Sequence, residues 1–369
     1  MTRCFAVGVT VVSLAMACAI ASAQQAKHPD ILDAKPMYKA GPNHMELAPQ
    51  APTASLVQWN GSFTDLTNHK ITFTQVGTDP TSTSTSTTIT TYIIPVRMKY
   101  TKNNGNTTFD PKAQVLADGK TVINNIIASP LFDPSADFTQ GGTDLGTTQY
   151  IDAFQRGNFW STVSSEPDYH VLLSTKPKVL PEKTISVSNK NLGSVYNNPF
   201  GSGVIGTYDI NAFDSRIQFW IKQLKQINPG ALPIFITYDV YLTEGGCCIG
   251  GYHNANGPQP GGQTYAMATY VDSPGAFSQD VSALSHEIGE WMDDPFVDNL
   301  VNCNDNGIME DGDPLEGNSN YGAYPYSLNG FTYNLQSLVF IGYFGAPPSD
   351  SVHDWLSFQN DEAHVCPGQ

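Results

Sequence analysis

Residues 280–294 read DVSALSHEIGEWMDD, which sets His286, Glu287 and Glu290 in an H-E-x-x-E arrangement. Side chains on a helix advance about 100° per residue, so with Val281 as origin Leu284, Ile288, Trp291 and Met292 fall within about 80° and form a core-facing stripe. His286 falls near about 140° and Glu290 near about 180°, one turn apart on the face pointing away from that stripe, as two ligands of one cation must be. Glu287 is offset to the side. The chemistry this permits is close to that of the H-E-x-x-H zinc peptidases: the first and fifth residues hold a metal and the second acts as general base on an attacking water. Glutamate at the fifth place makes the site harder and more anionic, which admits manganese, iron or calcium beside zinc. The competing reading is a solvated helix face carrying an i,i+4 His–Glu pair.

Charge distribution favours a cation. The chain of 369 residues has 18 Lys+Arg against 34 Asp+Glu, a net charge of −16 that argues against nucleic acid or an anionic membrane surface as partner. Beyond Lys225 there is no Lys or Arg, yet 18 of the 34 acids lie there, 11 of them between Asp280 and Glu316. After Asp294-Pro295, which stops the helix, come Asp298, Asp305, Glu310, Asp311, Asp313 and Glu316 with no basic side chain to pair with them. So many carboxylates repel unless something positive sits among them, and a bound metal answers that need. A solvated acidic loop is the alternative. A second metal pattern overlaps the first: Asn302, Asn304, Asn306 and Gly307, with Asp313 in twelfth place, imitate an EF-hand-type calcium loop, although no flanking helices of that type are evident.

The segment from Ser285 to Glu290, then Asp294-Pro295, then Glu310-Asp311-Gly312-Asp313-Pro314-Leu315-Glu316-Gly317 resembles the HExxE…(D/N)P…ExGDxxEG pattern of the phosphate-induced, EXORDIUM-like secreted proteins. Gly246-Cys247-Cys248-Ile249-Gly250-Gly251-Tyr252-His253 is similar to that family's Cys-Gly-aromatic-His stretch. The likeness covers about residues 232–317; Leu315 stands where the plant members have cysteine. It implies an extracellular protein with a zincin-like metal motif: His286 and Glu290 as ligands, Asp313 or Glu310 as the third, and Glu287 as general base. His253 enters as a fourth ligand or an oxyanion donor, with a loop histidine beside a disulfide as the plainer reading; His353 and His364 are fainter candidates.

The elements that must position these residues follow from pattern. The fold expected is α+β, a zincin-like C-terminal domain at 191–369 preceded by a β-rich module at 56–190. In the module, 62–76 and 88–100 are rich in β-formers, helical spacing appears at 148–159, and strands return at 169–174 and 185–188. Apolar residues recur at threes and fours from Asp209 to Ile227, then LPIFITYDVYLT (232–243) reads as one buried strand. The strand at 264–271 is placed to be the sheet edge that aligns an extended peptide over the helix.

Residues 1–23 have the basic start, apolar stretch and Ala21-Ser22-Ala23 ending of a signal peptide, with lipidation at Cys18 as an alternative, and no other segment is long and apolar enough to span a bilayer. Residues 24–55 read as a leader or linker. Removal of Cys4 and Cys18 leaves Cys247, Cys248, Cys303 and Cys366; adjacent cysteines join only with strain, so each of the first two is expected to reach one of the distant pair. Two functions remain open: a secreted zinc-dependent hydrolase acting on peptide or a cell-wall component, and a non-catalytic extracellular protein that keeps the metal scaffold. Glu287 favours the hydrolase, because a binding protein needs no general base beside its ligands.

Overall fold

The computed structural model describes residues 28–35, 37, 41–42, 54–64, 68–82, 85–140, 143–273, 278–301, 307–309 and 324–336. The signal segment 1–23, all of the Asn302-to-Asp313 loop pattern except residues 307–309, Glu310, Cys303, Cys366, His353 and His364 lie outside the described residues.

The fold is α+β. Its main sheet is ordered Gly251–Asn256, Gln263–Tyr270, Ala231–Tyr238, Thr87–Tyr100, the first pair antiparallel and the others parallel. Thr87–Tyr100 also pairs with Val171–Leu173, Lys178–Val179 and Lys183–Val187 in parallel and with Thr108–Phe109 antiparallel. Its burial alternates at both ends and is continuous through Ile93–Val96, where both faces are covered. Ala231–Tyr238 and Gln263–Tyr270 are buried at every position, as interior parallel strands are. Residues of 56–190 and of 191–369 therefore build one sheet, and a single apolar cluster runs from Leu56 to Leu335.

The sheet is covered on one face by the helix Ile210–Gln223, started by Asp209, whose carboxylate accepts from Ala212 N at 2.8 Å. That helix stacks Trp220 on Phe235 at 6.0 Å between ring centres. The helix Ser282–Asp293 packs against Gly251–Asn256, Gln263–Tyr270 and Lys70–Val76. Gly251, Ala266 and Ala268 are small, which lets this helix lie close to the sheet.

Three expectations are corrected. The buried run 232–243 is two strands, Ala231–Tyr238 and Val240–Thr243, which belong to different sheets; Asp239, at φ 50°, turns the chain between them. Gln263–Tyr270 is an interior strand, so the outer place in the sheet falls to Gly251–Asn256 instead. Cys247 and Cys248 are joined to each other rather than to distant partners. The expectation assumed the strain of joining neighbours would forbid it, whereas the pairing here shifts register between Leu242 and Thr243, an irregularity beside the cysteine pair. Both cysteines sit in a small second core with Ile205, Tyr241 and Val271, under the four-stranded sheet containing Val195–Asn197, Val204–Asp209, Val240–Thr243 and Cys247–Ile249.

Candidate metal centre

The helical stripe predicted from periodicity is buried: Val281, Ile288, Trp291 and Met292 are each fully enclosed. The opposite face is not solvated. His286, Glu287 and Glu290 are 8%, 5% and 3% exposed, because the helix is covered by strands on that side too. This removes the reading of an ordinary water-facing i,i+4 pair.

What lies across from the helix is His253. It stands in Gly251–Asn256, opposite Ala266 in the antiparallel ladder, and is 2% exposed. Alternation along this strand puts Gly251 and His253 on the helix side and Tyr252 on the other, where its hydroxyl donates to Asp214 Oδ1 at 3.0 Å. A Cβ at Gly251 would meet Glu287 Cγ at 2.7 Å, so only glycine lets the carboxylate come this close to the strand.

His253, Glu287 and Glu290 offer three ligand atoms that all lie within 4.8 Å of one another, a buried group able to hold a metal ion. His253 Nδ1 is 3.6 Å from Glu287 Oε2 and 3.8 Å from Glu290 Oε2, while His286 Nε2 is 3.1 Å from Glu290 Oε1. Glu290 is thus approached by one imidazole at each oxygen. Ligands of a tetrahedral ion with bonds of about 2.1 Å lie about 3.4 Å apart, the scale of these separations.

The surroundings fix how His253 presents itself. Its Nε2 lies 3.0 Å from the main-chain carbonyl of Asp294, which can only accept, so a proton is held on Nε2 and Nδ1 is the ring nitrogen turned to the carboxylates. That carbonyl is held in turn. Asp294 N donates to Glu290 O at 2.6 Å, and the Asp294 carboxylate accepts from Asp298 N at 3.0 Å and from Asn299 N at 3.2 Å. Asn299 also bonds both to Thr74 and to Asp293 O, stitching the helix end to Lys70–Val76. At the other end Ser285, next to His286, accepts from Gln336 N at 2.7 Å, so the hairpin Tyr324–Leu328 and Phe331–Leu335 clasps the helix.

Electrostatically the group lacks positive charge. Burial pushes Glu287 up to about 7, helped by the Glu290 charge and opposed by His253 and His286. Burial likewise pushes Asp294 up to about 8. For His253 burial acts downward, but Glu287, Glu290 and Asp294 outweigh it and its pKa is raised. Both carboxylate shifts come chiefly from taking the charge away from water, and a positive charge beside them would oppose it.

Of the residues predicted for the site, Glu287 and Glu290 belong to the group that could hold a metal, His286 touches it through Glu290 at 3.1 Å, and Glu310 and Asp313 lie outside the described residues. Met309, just before Glu310, is buried and donates to Asn299 O at 2.9 Å, so the chain returns to the helix end at the start of the acidic run. His253, ranked low from sequence as a loop histidine, is in a strand and belongs to the group. The available signal was its place in an apolar, glycine-flanked stretch two residues from Gly251. No protein-family model, curated protein or solved structure matches this chain.

Proposed function

We propose that this protein is a secreted metal-dependent hydrolase of the metallopeptidase type, with Glu290, His286 and His253 as metal ligands and Glu287 as general base. The observation that carries the reading is the buried meeting of His253 Nδ1, on its strand, with Glu287 and Glu290 of the H-E-x-x-E helix, a group able to hold a metal ion, with His286 Nε2 3.1 Å from Glu290 Oε1. Imidazole and carboxylate donors together suit zinc, with manganese or iron(II) next; calcium prefers an all-oxygen set. Here His253 takes a ligand place that the EXORDIUM-like resemblance assigns to Asp313 or Glu310, and those two stay available to complete the sphere. The ion, when bound, would supply charge neutralisation and Lewis-acid polarisation.

The remaining work falls to the protein. Asp294 orients His253 through its carbonyl, Gly251 gives Glu287 room, and Glu287 accepts the proton of the attacking water and returns it to the leaving amine as the peptide bond breaks. The antiparallel edge strand Gly251–Asn256 lies beside the group, where an extended peptide could add by main-chain hydrogen bonds.

The near-complete burial of all four side chains also suits the second reading, an EXORDIUM-like extracellular protein with a structural metal. Glu287→Gln separates them. The hydrolase reading expects full metal content with hydrolysis of a mixed peptide pool lost; metal lost with the substitution would make Glu287 a ligand and remove the base.

A further inference from the structure

The described residues of the N-terminal stretch read from sequence as a linker, 28–35, 37 and 41–42, lie against strands of the two larger sheets. Asn197 holds its start, donating Nδ2 to His28 O at 2.8 Å and to Asp30 Oδ1 at 2.7 Å and its main-chain N to Pro29 O at 3.0 Å. Ile31 packs on the small core around the cysteine pair. Lys35 N donates to Cys247 O at 3.0 Å, Cys248 N to Lys35 O at 2.6 Å, and Met37 N to Cys248 O at 2.8 Å, so the segment adds main-chain bonds to the outer strand of the four-stranded sheet. It then advances in step with the chain beside it: Asn254 Nδ2 donates to Pro42 O at 2.6 Å. A Cβ on Gly41 would lie 2.6 Å from Asn254 Nδ2 and 2.8 Å from the His253 carbonyl oxygen. Gly41 therefore sits against the backbone of the very residue that offers Nδ1 to the metal group.

Gly251–Asn256 is the outermost strand of its sheet, and its one strand partner among the described residues is Gln263–Tyr270. Unpaired strand edges accept extended chains by backbone hydrogen bonding, whatever the sequence, and the closeness of Gly41 shows that this one is already approached by a segment of its own chain. We infer that the segment ending at Pro42 is an intramolecular competitor for the strand edge that an extended peptide would use to reach the metal group, so that the intact chain is self-inhibited and cutting after Pro42 releases it. This rests on the proposed peptidase reading for the identity of the displaced ligand. Tethering matters to the energetics: a linked segment presents itself at about millimolar effective concentration, against which a free peptide of micromolar affinity competes poorly.

The test is made on the full secreted chain with a recognition sequence for a site-specific protease placed between Pro42 and Leu56. Intact and cut proteins, the latter washed free of the released segment, are compared for binding of a fluorescent synthetic peptide spanning residues 28–42, for hydrolysis of a mixed quenched-peptide pool, and for metal content. Cutting is expected to tighten peptide binding at least about tenfold, to raise hydrolysis, and to let the added 28–42 peptide suppress that hydrolysis. Gly41→Val, which forces the segment off Asn254 without a cut, is expected to move binding in the same direction. Equal hydrolysis before and after cutting, or no gain in peptide binding by either protein, overturns the inference while leaving the hydrolase reading in place. Gain of binding with no hydrolysis in a metal-loaded protein upholds the shared edge and overturns the peptidase reading instead.

Discussion

His253 Nε2 donates to the main-chain carbonyl of Asp294 across 3.0 Å, joining an outer strand of the sheet to the residue that ends the H-E-x-x-E helix. One hydrogen bond thereby sets the ring's orientation: the other ring nitrogen is the one turned to Glu287 and Glu290, 3.6 and 3.8 Å away. Replacing His253 with alanine is expected to lower metal affinity about 10- to 100-fold or more, as loss of a ligand does. His253→Gln should rescue little, since an amide cannot reproduce the pinned imidazole. Titration of the apoprotein with zinc against a competing chelator gives the number, and unchanged affinity would take His253 out of the site.

Gly251→Ala tests the closeness of strand and helix. The new Cβ would fall 2.7 Å from Glu287 Cγ and 2.8 Å from Met267 O, so the carboxylate must shift. The expected result is retained metal, hydrolysis reduced at least about tenfold, and a stability cost of about 1–3 kcal/mol from overpacking. Parallel loss of metal would mean that Glu287 is itself a ligand.

Asp152 is fully buried and accepts from Thr148 Oγ1, from Val171 N and from His170 Nδ1, each at 2.7 Å. Asp152→Ala leaves these donors unmatched and is expected to cost about 2–4 kcal/mol, read as a lower denaturation midpoint with the slope unchanged. The hydrogen bond to Asp152 raises the His170 pKa above its ordinary value of 6.5, against the effect of burial. A raised histidine stabilises the fold fully below its unfolded pKa, and that contribution fades as pH climbs through the folded one. Asp152→Asn should therefore flatten the decline in stability above pH 6.5.

Asp239 carries a different pH signature. Burial, reinforced by the Asp272 charge, pushes it from an ordinary 3.8 up to about 7. Between those two values the unfolded chain has released a proton that the folded chain keeps, so stability falls as pH rises across the window and levels off above it. Asp239→Asn tolerates the same positive φ and cannot ionise, so its melting temperature should exceed that of the parent by several degrees at pH 8 and by little at pH 4. Equal differences at both pH values would contradict the assignment.

The helix of the site was legible from sequence because its cause is local: apolar residues at threes and fours fix the stripe and hence the side on which His286 and Glu290 stand. The helix Ile210–Gln223 and the strand Gln263–Tyr270 were found for the same reason. Placement was not legible. Nothing within 264–271 says that another strand will pair outside it, and nothing near His253 says that its strand will lie over a helix about 30 residues on. Those facts depend on sheet order, which long-range pairing decides. The burial of the polar helix face and the docking of Lys35 and Met37 beside the cysteine pair escaped notice because polar, unperiodic segments carry no local record of what covers them. The break at Asp239 left one hint in the sequence, an acid inside an otherwise apolar run.

Elemental analysis of the purified protein, by plasma mass spectrometry after removal of loosely bound ions, tests the central claim most directly. The account predicts about one zinc or similar transition-metal ion per chain, retained in Glu287→Gln and lost in His253→Ala and Glu290→Ala. A metal-free protein that melts at the same temperature with and without added zinc, or a metal that survives both ligand substitutions, would contradict it.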